Sequence, residues 1–213
     1  KIIPKSYLEK AIQLGFDLSY FLLARLLDSF YGEKDRAFEV ANEGAKKGEK
    51  YSKCLLGYFI MKGIGTKKNH RKGVEMMLES GAHDYYTRFA TEIGRYYAKI
   101  SKENENINND RCFFNAKKAF EWFEKAYLMK KTSASINNYG ICFMKGFHVE
   151  QDIEKAKEIF REGVEKGDHN SMYHLAFILE QTDIDKSLHY YKSASDLGNV
   201  DAKKRYLYLA KKY

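Results

Sequence analysis

The stretch NNYGICFMKGFHVEQDIEKAKEIFREGVEKG, residues 137–167, decides the fold. In its second half Ala156, Ile159, Phe160, Gly163 and Val164 recur at steps of three, one, three and one, the period of a single helix face. Gly167 follows where a helix end wants a left-handed residue, and Asp152 stands where it could cap the helix start. The first half has its own small residue, Gly140, directly after the bulky Tyr139. Each half reads as one helix of a pair.

The same grammar runs outward in both directions. A small residue beside or close to a bulky one recurs at Ala24, Gly57, Gly94, Gly140 and Ala176, in steps of 33, 37, 46 and 36. A second series follows apolar pairs: Ala11, Gly44, Ser80, Ala126, Gly163 and Ala194, in steps of 33, 36, 46, 37 and 31. The two series drift together, the long step included, so they mark the two helices of one repeating unit. Helices pack about 8–10 Å apart, and Gly, Ala or Ser at a crossing lets bulky neighbours interdigitate. One pair cannot bury its apolar face alone, so pairs must stack.

The expected architecture is all-α: a right-handed superhelix of about five antiparallel pairs plus terminal helices, forming one domain over residues 1–213. A terminal helix spans about 4–14. Pairs follow near 17–48, 49–83, 84–131, 132–167 and 168–198, and a last helix occupies 200–213. Gly15, Gly48, Gly167 and Gly198 should close helices, and Asp35, Asn115 and Asp152 should cap second helices. The long step implies a polar insert, Ser101 to Arg111, expected as a protruding mobile loop.

Composition narrows the function classes. Hydrophobic residues make up 44% and charged residues 31%, which supports a folded chain. The net charge of +8 favours acidic partners, whether peptide, nucleic acid or anionic membrane. Cys54, Cys112 and Cys142 are widely spaced and form no CxxC, so neither a disulfide framework nor a zinc knuckle fits. No Asn begins an Asn-x-Ser/Thr signal, and both facts point to a reducing, cytoplasmic setting. The longest apolar run, Cys54 to Met61, is far short of the roughly 20 residues a membrane span needs. Residue 1 is Lys and the chain opens near a helix, so a piece of a longer protein is expected.

The repeat resembles that of the Sel-one-like repeat family, a relative of the tetratricopeptide repeats. Residues 139–167 carry the likeness best, through Tyr139-Gly140, Gly146, Val149, Asp152, Lys155-Ala156, Ile159-Phe160, Gly163 and Gly167. Leu56-Gly57, Gly63, Gly65, Lys72-Gly73 and Met76-Met77 repeat it, and Lys118-Ala119 with Trp122-Phe123 add to it. His148 departs from the pattern, which has glycine there. The resemblance implies a non-catalytic protein-interaction adaptor within a larger, multi-subunit assembly, and no cofactor.

In the related repeats the first helix of each pair lines the concave face. Carried onto this sequence, that selects Arg25, Asp28, Tyr58, Lys62, Arg88, Arg95, Lys99, Asn137, Lys145, Tyr173 and Glu180 as exposed positions. Six are basic and two acidic, so an acidic or extended protein segment is the expected partner. A nucleic-acid- or ribonucleoprotein-associated module is the alternative, suggested by the basic run Lys67 to Lys72. The segment Lys117 to Lys131 is basic and amphipathic, but Trp122 and Phe123 fall where every pair has core residues. His169 and His174, five apart, are poorly spaced for one helix face, and no motif of a phosphate loop, dinucleotide fold or nucleophile elbow occurs.

Overall fold

A computed structural model describes residues 4–83, 86–103 and 109–212, with side chains of 109–113 left aside. All regular structure among these residues is helical, as expected. The chain divides into two compact units, Lys1–Phe89 and Ala90–Tyr213.

The first unit holds α1 (Lys5–Gln13), α2 (Leu18–Leu26, continued by a π-helical turn Leu27–Tyr31), α3 (Lys34–Lys46), α4 (Lys50–Lys62) and α5 (His70–Glu79). The second holds most of α6 (Thr87–Glu103), then α7 (Asn109–Met129), α8 (Ser133–Lys145) and α9 (Ile153–Glu165). It ends with α10 (His169–Leu179), α11 (Ile184–Asp196) and α12 (Val200–Leu209). Helices pack in pairs, α2 with α3, α4 with α5, α8 with α9 and α10 with α11; within the first unit α3 also touches α4, and within the second α7 touches α8 and α9 touches α10.

The two series of small residues do different work. The first sits at the crossing within a pair, where it receives the second residue of the apolar pair from the partner helix. A Cβ on Gly140 would lie 2.6 Å from the Phe160 ring, and one on Gly94 would lie 2.7 Å from Phe123. In α4 and α5 the approach is backbone on backbone: a Cβ on Gly57 would stand 2.7 Å from the Gly73 carbonyl oxygen. The second series faces the next pair. A Cβ on Gly44 would meet Ser52 Oγ at 2.5 Å, and one on Gly163 would overlap Ser171. The serines opposite, Ser52 and Ser171, are fully buried, with Ser135 and Ser19 in the same register of their helices. They form a third series that the sequence reading did not pick out.

Helix ends follow local chemistry. Gly15, Gly48, Gly167 and Gly198 all take positive φ, and nothing crowds them, so conformation alone requires glycine. Gly65 has φ 61° and His148 φ 62°, so the histidine adopts the backbone that glycine supplies in α4–α5. Asp152 caps α9, its carboxylate accepting from Lys155 N–H at 2.9 Å.

The other two expected caps are corrected. α3 starts after Glu33, which puts Asp35 inside its first turn. α7 starts at Asn109, so Asn115 lies within the helix and is buried. The insert changes accordingly. Ser101–Glu103 finish α6 and Asn109–Arg111 begin α7, while residues 104–108 lie outside the described residues. α6 has 17 residues and α7 has 21, against 13 each for α8 and α9, so helix extension absorbs much of the long step.

Candidate partner-binding face

Two first helices in the second unit present matching faces. On α6 the residues are Arg95, Ala98, Lys99 and Lys102; on α8 they are Asn138, Ile141, Cys142 and Lys145. Both sets follow i, i+3, i+4, i+7, one side of a helix. With Phe123 from α7 and Phe147 they line an open cleft of about 380 Å³. Ala98 and Phe147 pack on the core of Ala119, Phe123 and Cys142, so the floor is apolar. The rim is basic. Arg95, half exposed, pairs with the largely buried Glu92 at 3.3 Å, and Lys99 pairs with Glu103 at 3.5 Å with both side chains exposed. An exposed pair such as Lys99–Glu103 is worth about 0–1 kcal/mol, so a ligand carboxylate can replace it at little cost.

Of the predicted residues, Arg95, Lys99 and Lys145 meet at this cleft. Asn137 does not. It lies one residue off the face, about 100° around the helix, and its neighbour Asn138 takes the place. Asn137 Oδ1 is buried with no hydrogen bond among the described residues, while Asn138 Nδ2 donates to Ala134 O at 2.7 Å. Lys102, a turn beyond the positions considered, was missed. Its signal is the i+7 spacing from Arg95.

Arg25, Asp28, Tyr58 and Arg88 gather in the first unit, around a cleft of only about 80 Å³. The Arg25 guanidinium lies 5.0 Å from the Tyr86 ring and 5.3 Å from Phe21, and the Arg88 guanidinium lies 5.4 Å from Tyr58. Tyr58 was expected to be exposed; it is 6% exposed, because Arg88 and Phe89 close over it. Lys62 is exposed beside the same ring at 5.9 Å. Tyr173 packs edge-on against Tyr191 at 5.6 Å and is half-buried. Glu180 is engaged by Arg205 and Tyr191 rather than presented outward.

The chemistry of the thiols and histidine is inert. Burial pushes both Cys54 and Cys142 up to about 12, so neither is a thiolate at neutral pH. Cys142 Sγ donates to Asn138 O at 3.2 Å. His174 stacks on Phe160 at 5.0 Å, and burial, then Lys145, lower it to about 4. The side chain of Cys112 lies outside the described residues. Among the described residues no three His, Cys, Asp or Glu groups are placed to hold a metal, and no helix is long and apolar enough to cross a membrane. In the basic run Lys67 to Lys72, Asn69 caps α5 by accepting from Lys72 N–H at 3.0 Å, and Arg71 pairs with Glu75 at 2.8 Å. Trp122 is half-buried and Phe123 is core, in line with the core reading of Lys117 to Lys131.

The Sel1 repeat profile matches residues 51–85, 115–130, 133–168 and 170–199, more than half of the chain. This chain belongs to the Sel1 repeat family. Solved structures share its fold. A Sel1 repeat protein from Oxalobacter formigenes is 23% identical, with 89% of this chain and 74% of that one covered and a TM-score of 0.70. A protective antigen of uropathogenic Escherichia coli, displaying the Sel1-like fold, is 16% identical with a TM-score of 0.52. There the match covers 97% of this chain but only 51% of the antigen. A thermophilic tetratricopeptide protein of Thermus thermophilus is 15% identical, with 90% and 97% coverage and a TM-score of 0.55. No curated protein matches. Sel1 and tetratricopeptide repeats generally mediate protein–protein interaction and typically serve as non-catalytic scaffolds.

Proposed function

We propose that this Sel1 repeat chain is a non-catalytic adaptor that holds an acidic segment of another protein on its first helices, within a larger assembly. The observation that supports the reading is the α6–α8 cleft, where two helices turn the same i, i+3, i+4, i+7 face to one apolar-floored, cation-rimmed opening. The concave face inferred from the family, Arg25, Tyr58, Lys62, Arg88, Arg95, Lys99, Asn137, Lys145 and Tyr173, narrows in this reading to Arg95, Lys99 and Lys145 with Lys102. Residues 1–213 are taken as one repeat domain. A cytoplasmic setting belongs to the same proposal and is in keeping with Cys54 and Cys142 as buried free thiols.

The experiment is capture of partners from native lysate with the wild type and with Arg95→Glu/Lys99→Glu. The double reversal is expected to remove the specific partners while leaving the helical circular dichroism unchanged. Equal recovery by both proteins would exclude this face.

A further inference from the structure

Resting on the adaptor reading, we infer that the α6–α8 cleft receives one bulky apolar anchor side chain of the partner, flanked on both sides by carboxylates. The floor and the rim of the cleft make separate demands. Ala98, Phe123, Ile141 and Phe147 offer apolar surface at its base, while Arg95, Lys99, Lys102 and Lys145 ring the mouth. A purely acidic segment would leave the floor wet. A purely apolar one would desolvate the cations without giving them partners. Only a segment carrying both chemistries satisfies the whole opening.

Size adds to the argument. A cleft of about 380 Å³ lies at the lower end of ligand-sized cavities, room for one large side chain and the backbone beside it. Lys99 is available for exchange, since Glu103 holds it through a contact of 3.5 Å exposed on both sides, and Lys102 and Lys145 are exposed as well. The cluster in the first unit serves as a contrast. There Arg25 and Arg88 already lie on aromatic rings and the opening is about 80 Å³, too small for an anchor.

The test selects short random peptides from a display library on the full chain at low salt. Enriched peptides are expected to carry one Phe, Trp, Leu or Met flanked by Asp or Glu. Changing that anchor to Ala should weaken a synthetic copy about tenfold or more, as loss of a buried hot spot does. Ala98→Phe, which fills the cleft from its own wall, should do the same. Lys145→Glu alters an exposed position at the end of α8; with its fold checked by circular dichroism, it should weaken the acidic peptide without moving a variant with neutral flanks. Absence of enrichment, enrichment without an acid-flanked anchor, indifference to both variants, or displacement by homopolymer RNA would each overturn the inference. If the Arg95/Lys99 reversal still abolishes lysate capture while the library gives no anchored acidic peptide, the adaptor reading stands and the anchor alone fails. If capture survives the reversal, the adaptor face itself fails.

Discussion

Ser52 and Ser171 occupy the same register in α4 and α10, each facing a glycine of the preceding helix, yet their hydroxyls live differently. Ser52 Oγ is buried with no hydrogen bond among the described residues, whereas Ser171 Oγ donates to the buried Asp168 carboxylate at 2.6 Å. Removing an unsatisfied hydroxyl spares its desolvation, and removing a satisfied one takes a hydrogen bond from its buried partner, here leaving Asp168 with the Ser171 N–H alone among these two donors. Ser52→Ala is therefore expected to raise stability by up to about 1 kcal/mol, and Ser171→Ala to lower it by about 1–2 kcal/mol. Urea unfolding at unchanged slope measures both, and the same sign for the two would contradict the assignment. At this scale the glycines and alanines were legible in the sequence because undersized residues at a repeating step are conspicuous. The serines were not, since serine is common on exposed helix faces and only contact with Gly44 and Gly163 reveals its role. Tyr58 was misread for a related reason: whether a helix position is exposed depends on what Arg88 and Phe89 do above it.

Between elements, two contacts of α10 set pH and end stability. His174 lies in the described core against Phe160 of α9, and it is lowered from 6.5 to about 4 by burial first and Lys145 second, with Asp168 opposing. The folded state thus holds it neutral where the unfolded chain takes up a proton. Its contribution is complete above pH 6.5, declines as pH falls from 6.5 to about 4, and is constant below. At about 1.4 kcal/mol per unit, the loss amounts to about 3 kcal/mol at most. Urea midpoints from pH 7 to 4 should fall in this window, and His174→Gln should flatten that part of the curve. The second contact ties α12 to α10. Arg205 donates through Nε (2.7 Å) and Nη2 to the Glu180 carboxylate, and Tyr191 OH donates to it as well. Arg205 chiefly, with Tyr191, holds Glu180 below the usual carboxylate range. Arg205→Ala is expected to cut amide-exchange protection across Val200–Leu209 while α8 and α9 keep theirs; uniform loss would mean the contact does not act locally. Element order was readable because period 3.6 survives any tertiary context. The lengths of α6 and α7 were not, since the polar run after Ser101 forms helix at both of its ends, and polarity alone does not distinguish a helix turn facing solvent from a loop.

At the scale of the whole molecule, charge and shape should separate in the kinetics of partner association. The net charge of +8 attracts acidic chains from a distance, and the double reversal Arg95→Glu/Lys99→Glu takes it to +4, two units for each site. Long-range attraction speeds encounter and is screened as the Debye length shrinks from about 10 Å at 0.1 M salt to about 3 Å at 1 M. Anchor burial, by contrast, is short-range and shows in how slowly the complex comes apart. For an acid-flanked peptide, rising salt and Lys145→Glu are therefore expected to lower the association rate chiefly, whereas Ala98→Phe should raise the dissociation rate at nearly constant association. Stopped-flow fluorescence across a salt series reads the two separately. The family resemblance and the basic composition pointed to an acidic partner, but they could not divide the work in this way. The division depends on Ile141 and Phe147 lining the same cleft as the cations, which only the packing of α6, α7 and α8 brings about. Should Lys145→Glu instead change only dissociation, the lysine would act in the docked contact rather than in the approach.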